Sequence, residues 1–354
     1  MTRALILAGG QGSRLRPLTA SRPKPLLPLV GRPFLEGLLI GLAAAGCDDI
    51  GVLVGADPAP FAALPATAAA QGVTCRVIAE PVPLGTAGQV RRVLTAAGRH
   101  DPVVIVNGDV LTDLDVASLR AAHRRAGAQV TLALTRVAAT ESYGVVTLDA
   151  AGQVTGFVEK PAPGTVAADT VNAGCYVLDP AVFTDPPGPA ARRLSGDGPL
   201  SFETEVFPAL LAAGARLQGV VSDAVFADLG TPARYRAGHA LVLAGGCAWP
   251  VPADLPSTDG VAVHTRSVLA DDVALEPPCT LAAGTQVGAG ARLRDVVAGE
   301  GCVIGEDAVL DGVVLGAGAR VGAGAVLTGD VAVGEAFTVP AGARHTGTVR
   351  LPSV

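Results

Sequence analysis

Lysine is almost missing from this sequence. Of its 26 basic residues only Lys24 and Lys160 are lysine, and every other cation is arginine. Charge of one sign is not in excess either. The net charge of −6 gives no reason to expect a nucleic-acid surface. No apolar run reaches membrane-spanning length, and the short Ala4–Ala8 run is too brief for a signal peptide. The six cysteines (47, 75, 175, 247, 279 and 302) contain no Cys-x-x-Cys pair. That spacing excludes a zinc site or disulfide framework and implies reduced, buried thiols in a cytoplasmic protein. His100, His123 and His239 fit no nucleophile–base triad and are expected on the surface.

What is present begins at the N-terminus. Leu5-Ile6-Leu7 reads as the end of a first buried strand. Gly9, Gly10 and Gly12 follow, in a turn whose main-chain N–H groups can close on phosphate oxygens. Arg14, Arg16 and Lys24 come next, a cation set suited to a triphosphate. The stretch is not a Walker A loop, because no Gly-Lys-Ser/Thr opens a helix. It also lacks the three-glycine Rossmann spacing. Both lysines stand before proline, in Pro23-Lys24-Pro25 and Glu159-Lys160-Pro161. In an arginine background, their survival points to places where a compact ammonium fits and a planar guanidinium does not.

The 354 residues suggest two or three domains. Up to about residue 240, strand and helix alternate. Helices are expected at Pro33–Ala45, Ala87–Ala97, Leu114–Ala126 and Phe202–Ala213. Strands are expected at Ile50–Val54, Val73–Ala79 and Val103–Val106. A strand-rich part then runs through Val130–Val137, Gly144–Leu148, Val154–Glu159 and Val171–Leu178. This alternation gives an α/β fold with a mixed, mostly parallel sheet and helices on both faces. The Pro- and Gly-rich Asp185–Pro199 stretch reads as a mobile loop. Asp109 ends the third of these strands and Asp228 follows Val225-Phe226. Two strand-end carboxylates can hold one divalent ion against phosphates. Asp113 and Asp115 are expected to face solvent or cap the next helix.

Beyond a linker at 244–260, which carries the single tryptophan Trp249, aliphatic anchors recur every six residues. They fall at Leu269, Leu275, Leu281, Val287 and Leu293, at Ile304 and Leu310, and at Val321, Leu327, Val333 and Val339, with two breaks of eleven. Such a period is the pattern of a hexapeptide β-helix of about four coils. The expected division is 1–243 for a catalytic domain, 244–260 for the linker and 261–354 for the β-helix. Many β-helices of this kind are acyltransferases with a histidine in the coils. Here His264 and His345 stand only at the ends, so an oligomerisation platform is the better reading.

In order along residues 1 to about 240, LAGGQGSRLRPLT with PKPLLP, EPVPLGTAG, NGDVLTDLD, SYGVV, FVEKP, NAGCYVLDP, SFETEVFP and DLGTPARY resemble the sugar-nucleotide pyrophosphorylases. The similarity is greatest to their mannose-1-phosphate guanylyltransferase branch. The resemblance implies a Rossmann-like nucleotidyltransferase domain and, from the hexapeptide-repeat proteins, a left-handed parallel β-helix. It also implies the reaction, in which a nucleoside triphosphate and a sugar 1-phosphate give an NDP-sugar and pyrophosphate. Leu7, Gly9, Gly10 and Gly12 would frame the nucleotide, with Glu80, Gly85 and Thr86 bordering the base. Arg14 and Lys24 would bind the triphosphate. Asp109 and Asp228 would hold Mg²⁺. Gly144, Glu159 and Asn172 would contact sugar hydroxyls, with Lys160 on the sugar phosphate. Gln89 lies beyond the turn and would not reach the base, which separates the chain from the thymidylyl branch and favours GTP. The acceptor stays open between mannose 1-phosphate, a heptose phosphate and a cyclitol phosphate of the valienol type, because Phe226 stands near where the family often has tryptophan. A thymidylyl or uridylyl transferase for glucose 1-phosphate is the alternative within the family. A silent regulatory subunit is the alternative outside it, although Lys24, Asp109 and Asp228 are all present. A homodimer or homotetramer is expected, with no nucleic-acid or membrane partner.

Overall fold

The computed structural model describes residues 2–98 and 101–353. His100 lies outside the described residues. Two compact units emerge, each discontinuous in sequence. The first comprises Met1–Gly10 and Leu38–Phe226, the second Gln11–Gly37 and Ala227–Val354. Among the described residues, no helix is long and apolar enough to cross a membrane.

The first unit is built on β1 (Arg3–Leu7), in which Ala4, Leu5 and Ile6 are completely buried. A strand apolar on both faces belongs in the middle of a parallel sheet. Accordingly, β1 runs parallel to β2 (Asp49–Val54) on one side and to β4 (Val103–Asn107) on the other, and β3 (Thr74–Ala79) extends β2 in parallel. The remaining strands are β5 (Val130–Arg136), β6 (Gly144–Leu148), β7 (Val154–Glu159), β8 (Thr170–Leu178) and β9 (Leu217–Val221). Strand β8 is antiparallel to β4, β5 and β6, and β9 is parallel to β5. The main path of this nine-stranded sheet is β7-β6-β8-β4-β1-β2-β3.

The helices are α1 (Phe34–Ala44), whose residues 34–37 are counted with the second unit, α2 (Leu64–Ala69), α3 (Gly85–Ala97), α4 (Val116–Ala126), α5 (Ala181–Thr184), α6 (Ala191–Leu194), α7 (Phe207–Ala212) and, in the second unit, α8 (Pro232–Leu243). Asp115 is an N-cap rather than a ligand, because its carboxylate accepts the Ser118 N–H at 3.0 Å. Asp113 accepts the Val225 N–H at 2.8 Å.

The Asp185–Pro199 stretch is not the open loop its composition suggests. It carries a short 3₁₀ turn and α6, and buries Ala190 and Leu194 in the core of the first unit. Nor is Phe202–Ala213 one regular helix. Ser201 caps a π-helical turn over Phe202–Val206, and α7 follows. Tyr176, Phe202 and Phe207 form an aromatic cluster beneath it, with ring centroids 5.3–5.5 Å apart. His123 is buried rather than exposed. It bonds the Thr131 hydroxyl at 3.0 Å, and burial lowers its pKa.

In the second unit the C-terminal strands form a parallel β-helix. One row of partners runs Val263, Leu281, Ala298, Leu315, Val333 and Leu351, giving five steps of 17 or 18 residues rather than about four coils. The two breaks in the anchor series are explained by this row. Ala298 and Leu315 fill the inward positions there, five residues after the preceding anchor instead of six. His264 is engaged at one end of the strands, where the Arg266 N–H donates to its Nδ1 at 3.0 Å and Asp254 lies 3.1 Å from its Nε2.

Helix α8 is fastened to these coils. Arg236 donates to Asp295 at 2.9 Å and to Asp330 at 3.0 Å. His239 is also buried, against the expected surface position, with Nδ1 3.0 Å from the Thr280 hydroxyl and Nε2 3.2 Å from the Pro28 carbonyl. Trp249, in the stretch after α8, stacks on Phe34 at 5.3 Å and donates to the Leu29 carbonyl at 3.0 Å.

Burial lowers the His239 pKa from 6.5 to about 3. The folded protein therefore keeps this ring neutral, while the unfolded chain takes up its proton near 6.5. Stability from this group is complete above pH 6.5 and is lost as the pH falls from there toward 3. Urea unfolding at pH 7 and pH 5 should show a drop in midpoint that is clearly smaller in His239→Gln. An equal drop in both proteins would remove His239 as its source.

Candidate active site

In the first unit the strand ends supply the framework. At the carboxyl end of β1 the Leu7 carbonyl accepts the Gly108 N–H at 2.8 Å, and the Ala8 N–H donates to Leu53 at 2.7 Å. These bonds fix where the glycine turn departs. A Cβ on Gly9 would lie 3.5 Å from Glu80 Oε2, so Glu80 lies beside the glycine turn. Its other oxygen accepts the Leu84 N–H at 2.7 Å. Gly10 has open space around it. Asp109 is half-buried just past β4, after Asn107-Gly108. Gln89 is buried and donates to the Ile78 carbonyl at 3.1 Å, which holds its amide against the sheet.

Gly85 and Thr86 are also engaged by the segment from Leu200 to Glu203. The Thr86 hydroxyl donates to Glu203 at 2.8 Å and accepts the Phe202 N–H at 3.0 Å. Gly85 has φ +75°, and a Cβ there would meet the Leu200 carbonyl oxygen at 2.6 Å. The glycine is thus required by a neighbouring main chain as well as by its own conformation.

The residues expected to hold the acceptor lie on or beside β6, β7 and β8. A Cβ on Gly144 would lie 2.9 Å from Glu159 Oε2 and would also collide with Phe157, so a side chain is excluded beneath Glu159. Lys160 Nζ approaches Glu159 Oε1 at 2.6 Å and is largely exposed. Its backbone is in the left-handed region at φ +45°, and its N–H donates to the Tyr143 carbonyl at 3.0 Å. Asn172 is more committed than the sequence implies. Its amide donates to the Tyr176 hydroxyl at 2.8 Å and its oxygen accepts the Gly174 N–H at 3.0 Å. It thereby shapes the irregularity in β8 between Asn172 and Tyr176. Phe226 meets Tyr143 edge to face at 5.3 Å.

The second unit gathers charge around Asp228. Lys24 Nζ lies 3.6 Å and Arg14 3.9 Å from its carboxylate. Lys24 is brought there by close backbone packing. A Cβ on Gly12, at φ +60°, would lie 2.8 Å from the Lys24 Cβ, and Thr19 ties the Gly12 carbonyl at 2.9 Å. Gly230 leaves the room, since a Cβ there would lie 2.7 Å from Asp228 and 2.9 Å from Arg14.

A third cation escaped the sequence reading. Arg234 donates to Asp228 at 2.6 Å. The signal was present in the helix start: Thr231 caps α8 by accepting the Arg234 N–H at 3.3 Å, which places residue 234 in the first turn beside Asp228. Tyr235 then donates to the Pro28 carbonyl, which anchors the strap that carries Lys24.

Mg²⁺ takes oxygen ligands and is usually bound by one or two protein carboxylates, with substrate phosphates and water completing the shell. Asp109 and Asp228 have the right donor chemistry. No group of three or more metal-binding side chains occurs among the described residues.

Residues 3–245 match the family model described as nucleotidyl transferase. A mannose-1-phosphate guanylyltransferase of Mycobacterium tuberculosis is 38% identical over 85% of this chain and 79% of its own length. The mannose-1-phosphate guanylyltransferase catalytic subunit beta of Drosophila pseudoobscura is 32% identical, over 81% of this chain and 72% of its own. Among solved structures, HddC from Yersinia pseudotuberculosis matches with a TM-score of 0.56 and 25% identity, covering 68% of this chain and 98% of that one.

Proposed function

The chain belongs to the nucleotidyl transferase family, and from that premise we propose that it joins GTP to mannose 1-phosphate, releasing GDP-mannose and pyrophosphate. The sugar phosphate already carries an anionic oxygen nucleophile, so no Ser, Cys or His nucleophile is needed. That oxygen bonds to the α-phosphorus while the bond to the β-phosphate oxygen breaks, and pyrophosphate leaves with the electron pair. The protein's tasks are alignment and the screening of repulsion between two anions. Arg14 and Lys24 bind the triphosphate and the departing pyrophosphate, and Lys160 receives the sugar phosphate. Gly144 lets Phe157 and Glu159 pack close above it, and the Glu159 carboxylate takes a sugar hydroxyl. Asn172 orients this edge of the pocket. Mg²⁺, held by Asp109 and Asp228, would supply positive charge at the α-phosphate when bound. The β-helix is a platform for a homodimer or homotetramer. Six buried cysteine thiols, those of Cys47 and Cys175 pushed up to about 11 and about 12 by burial, support a cytoplasmic setting.

The observation that carries the base is Glu80. One of its oxygens is taken by the Leu84 N–H, and the other borders Gly9. An acceptor carboxylate suits the N–H groups of guanine and leaves adenine's acceptor nitrogen unmatched. A buried unmet polar group costs about 1–3 kcal/mol, which is roughly a 10- to 100-fold preference. A pyrophosphate-release screen should cross GTP, ATP, UTP and dTTP with the 1-phosphates of mannose, glucose, a heptose and valienol. GTP with mannose 1-phosphate should be the most efficient pair. Use of UTP or dTTP at about ten times the efficiency of GTP would overturn the base assignment, at an energy difference of roughly 1.4 kcal/mol.

A further inference from the structure

The loop that borders the base, Glu80–Thr86, is held by a segment more than a hundred residues away. Leu84 is gripped on both sides: its N–H donates to Glu80 at 2.7 Å and its carbonyl accepts the Leu200 N–H at 2.7 Å. The Leu200 carbonyl in turn accepts the N–H groups of Ala87 at 2.9 Å and Gly88 at 3.1 Å. Those are donors that the first turn of any helix leaves open. Gly85 and Gly88 let this strap come close, because a Cβ on either would press on Leu200 main-chain atoms.

One side chain anchors the strap from the far side. Arg91, on α3 one turn beyond Ala87, is only 6% exposed. It donates to the Gly198 carbonyl at 2.5 Å and to the Leu194 carbonyl at 3.3 Å. The residues between these two acceptors are Ser195, Gly196 and Asp197, all exposed and all in bends. Chain of this composition has little local preference for one shape. A buried guanidinium is costly to place and is retained where its fork is used. Here the fork closes both ends of the bend and fixes where Pro199 and Leu200 emerge.

We propose that Arg91 is a positioning residue for nucleobase selection, fixing through Gly198 and Leu200 the main chain of Leu84–Gly88 against which the base is read. The inference rests on the assignment of residues 80–86 to the nucleobase. It adds a role for the 185–199 segment, which sets the shape of the wall at Leu84–Gly88.

The test is steady-state kinetics of full-length wild type, Arg91→Ala and Arg91→Lys, with thermal unfolding of each. In Arg91→Ala, KM for GTP should rise about tenfold, and the GTP-to-ATP ratio of kcat/KM should fall by a similar factor. KM for mannose 1-phosphate should stay within about twofold. Arg91→Lys keeps the charge but cannot span both carbonyls, so it should fall between. A folded Arg91→Ala with an unchanged base ratio overturns the proposal. If Arg91→Ala does not fold, Arg91→Lys decides on the same two numbers, and failure of both to fold makes Arg91 a stability residue only. The wild-type screen separates this from the guanine reading. If wild type prefers another triphosphate, the guanine assignment fails alone, and the Arg91 effect is read on selectivity for the preferred base.

Discussion

Replacing Lys24 with alanine should reduce kcat/KM for the triphosphate by about 10²–10³-fold, the scale seen when one preorganised group facing transition-state charge is removed. Lys24 is suited to that loss. Its side chain is only 10% exposed, packed against Gly12, with its ammonium 3.6 Å from Asp228. Arginine is the sharper substitution. It preserves the charge, yet a planar fork must enter a niche that Arg14 and Arg234 already share around the same carboxylate. Lys24→Arg should fold normally and still lose about tenfold or more in kcat/KM. Wild-type kinetics in Lys24→Arg would mean that the scarcity of lysine says nothing about this site.

Gly312→Ala should be among the most damaging single substitutions in the β-helix. Gly312 has φ +74°, which costs an L-residue about 1–2 kcal/mol. A Cβ there would also drive into the Gly329 carbonyl of the next coil. That carbonyl belongs to a coil held by its ladder, so it yields little, and overpacking adds about 1–3 kcal/mol. The sum is roughly 3 kcal/mol, or about 6–12 °C in Tm for a unit of this size. Gly301 is the control: its φ is +66° and nothing lies within 4 Å of a Cβ. Gly301→Ala should show the conformational part alone. Scanning calorimetry that finds the two variants equally stable would refute the steric argument.

The sequence made some of this plain and concealed the rest for identifiable reasons. The β-helix was legible because a period of six shows in one dimension what stacking does in three. Its two irregular turns were hidden only because Ala298 and Leu315 arrive a residue early. The central strands were legible from continuous apolar runs such as Val103–Val106. Asp185–Pro199 misled because proline and glycine fix the count of turns but not burial, which Ala190 and Leu194 decide. His123 and His239 misled because neutral rings are accepted inside when a threonine is at hand, and Thr280 is 41 residues from His239. Arg91 was unreadable for the same reason: the Leu194 and Gly198 carbonyls it bonds belong to a segment whose arrival the local sequence does not announce.

The second unit also has a history written into its order. Leu15, Leu18 and Leu27 are buried with Tyr235, Val297, Val314 and Ala332. A ribosome adding about 5–20 residues per second needs roughly 15–60 s to travel from residue 27 to residue 332. During that interval the strap carrying Lys24 is already made, and its apolar side gains its cover stepwise, from Tyr235 to Ala332. The cations at residues 14 and 24 acquire their common partner, Asp228, only after about 200 further residues have been added. The segment carrying Lys24 therefore leaves the ribosome well before the coils that complete its packing.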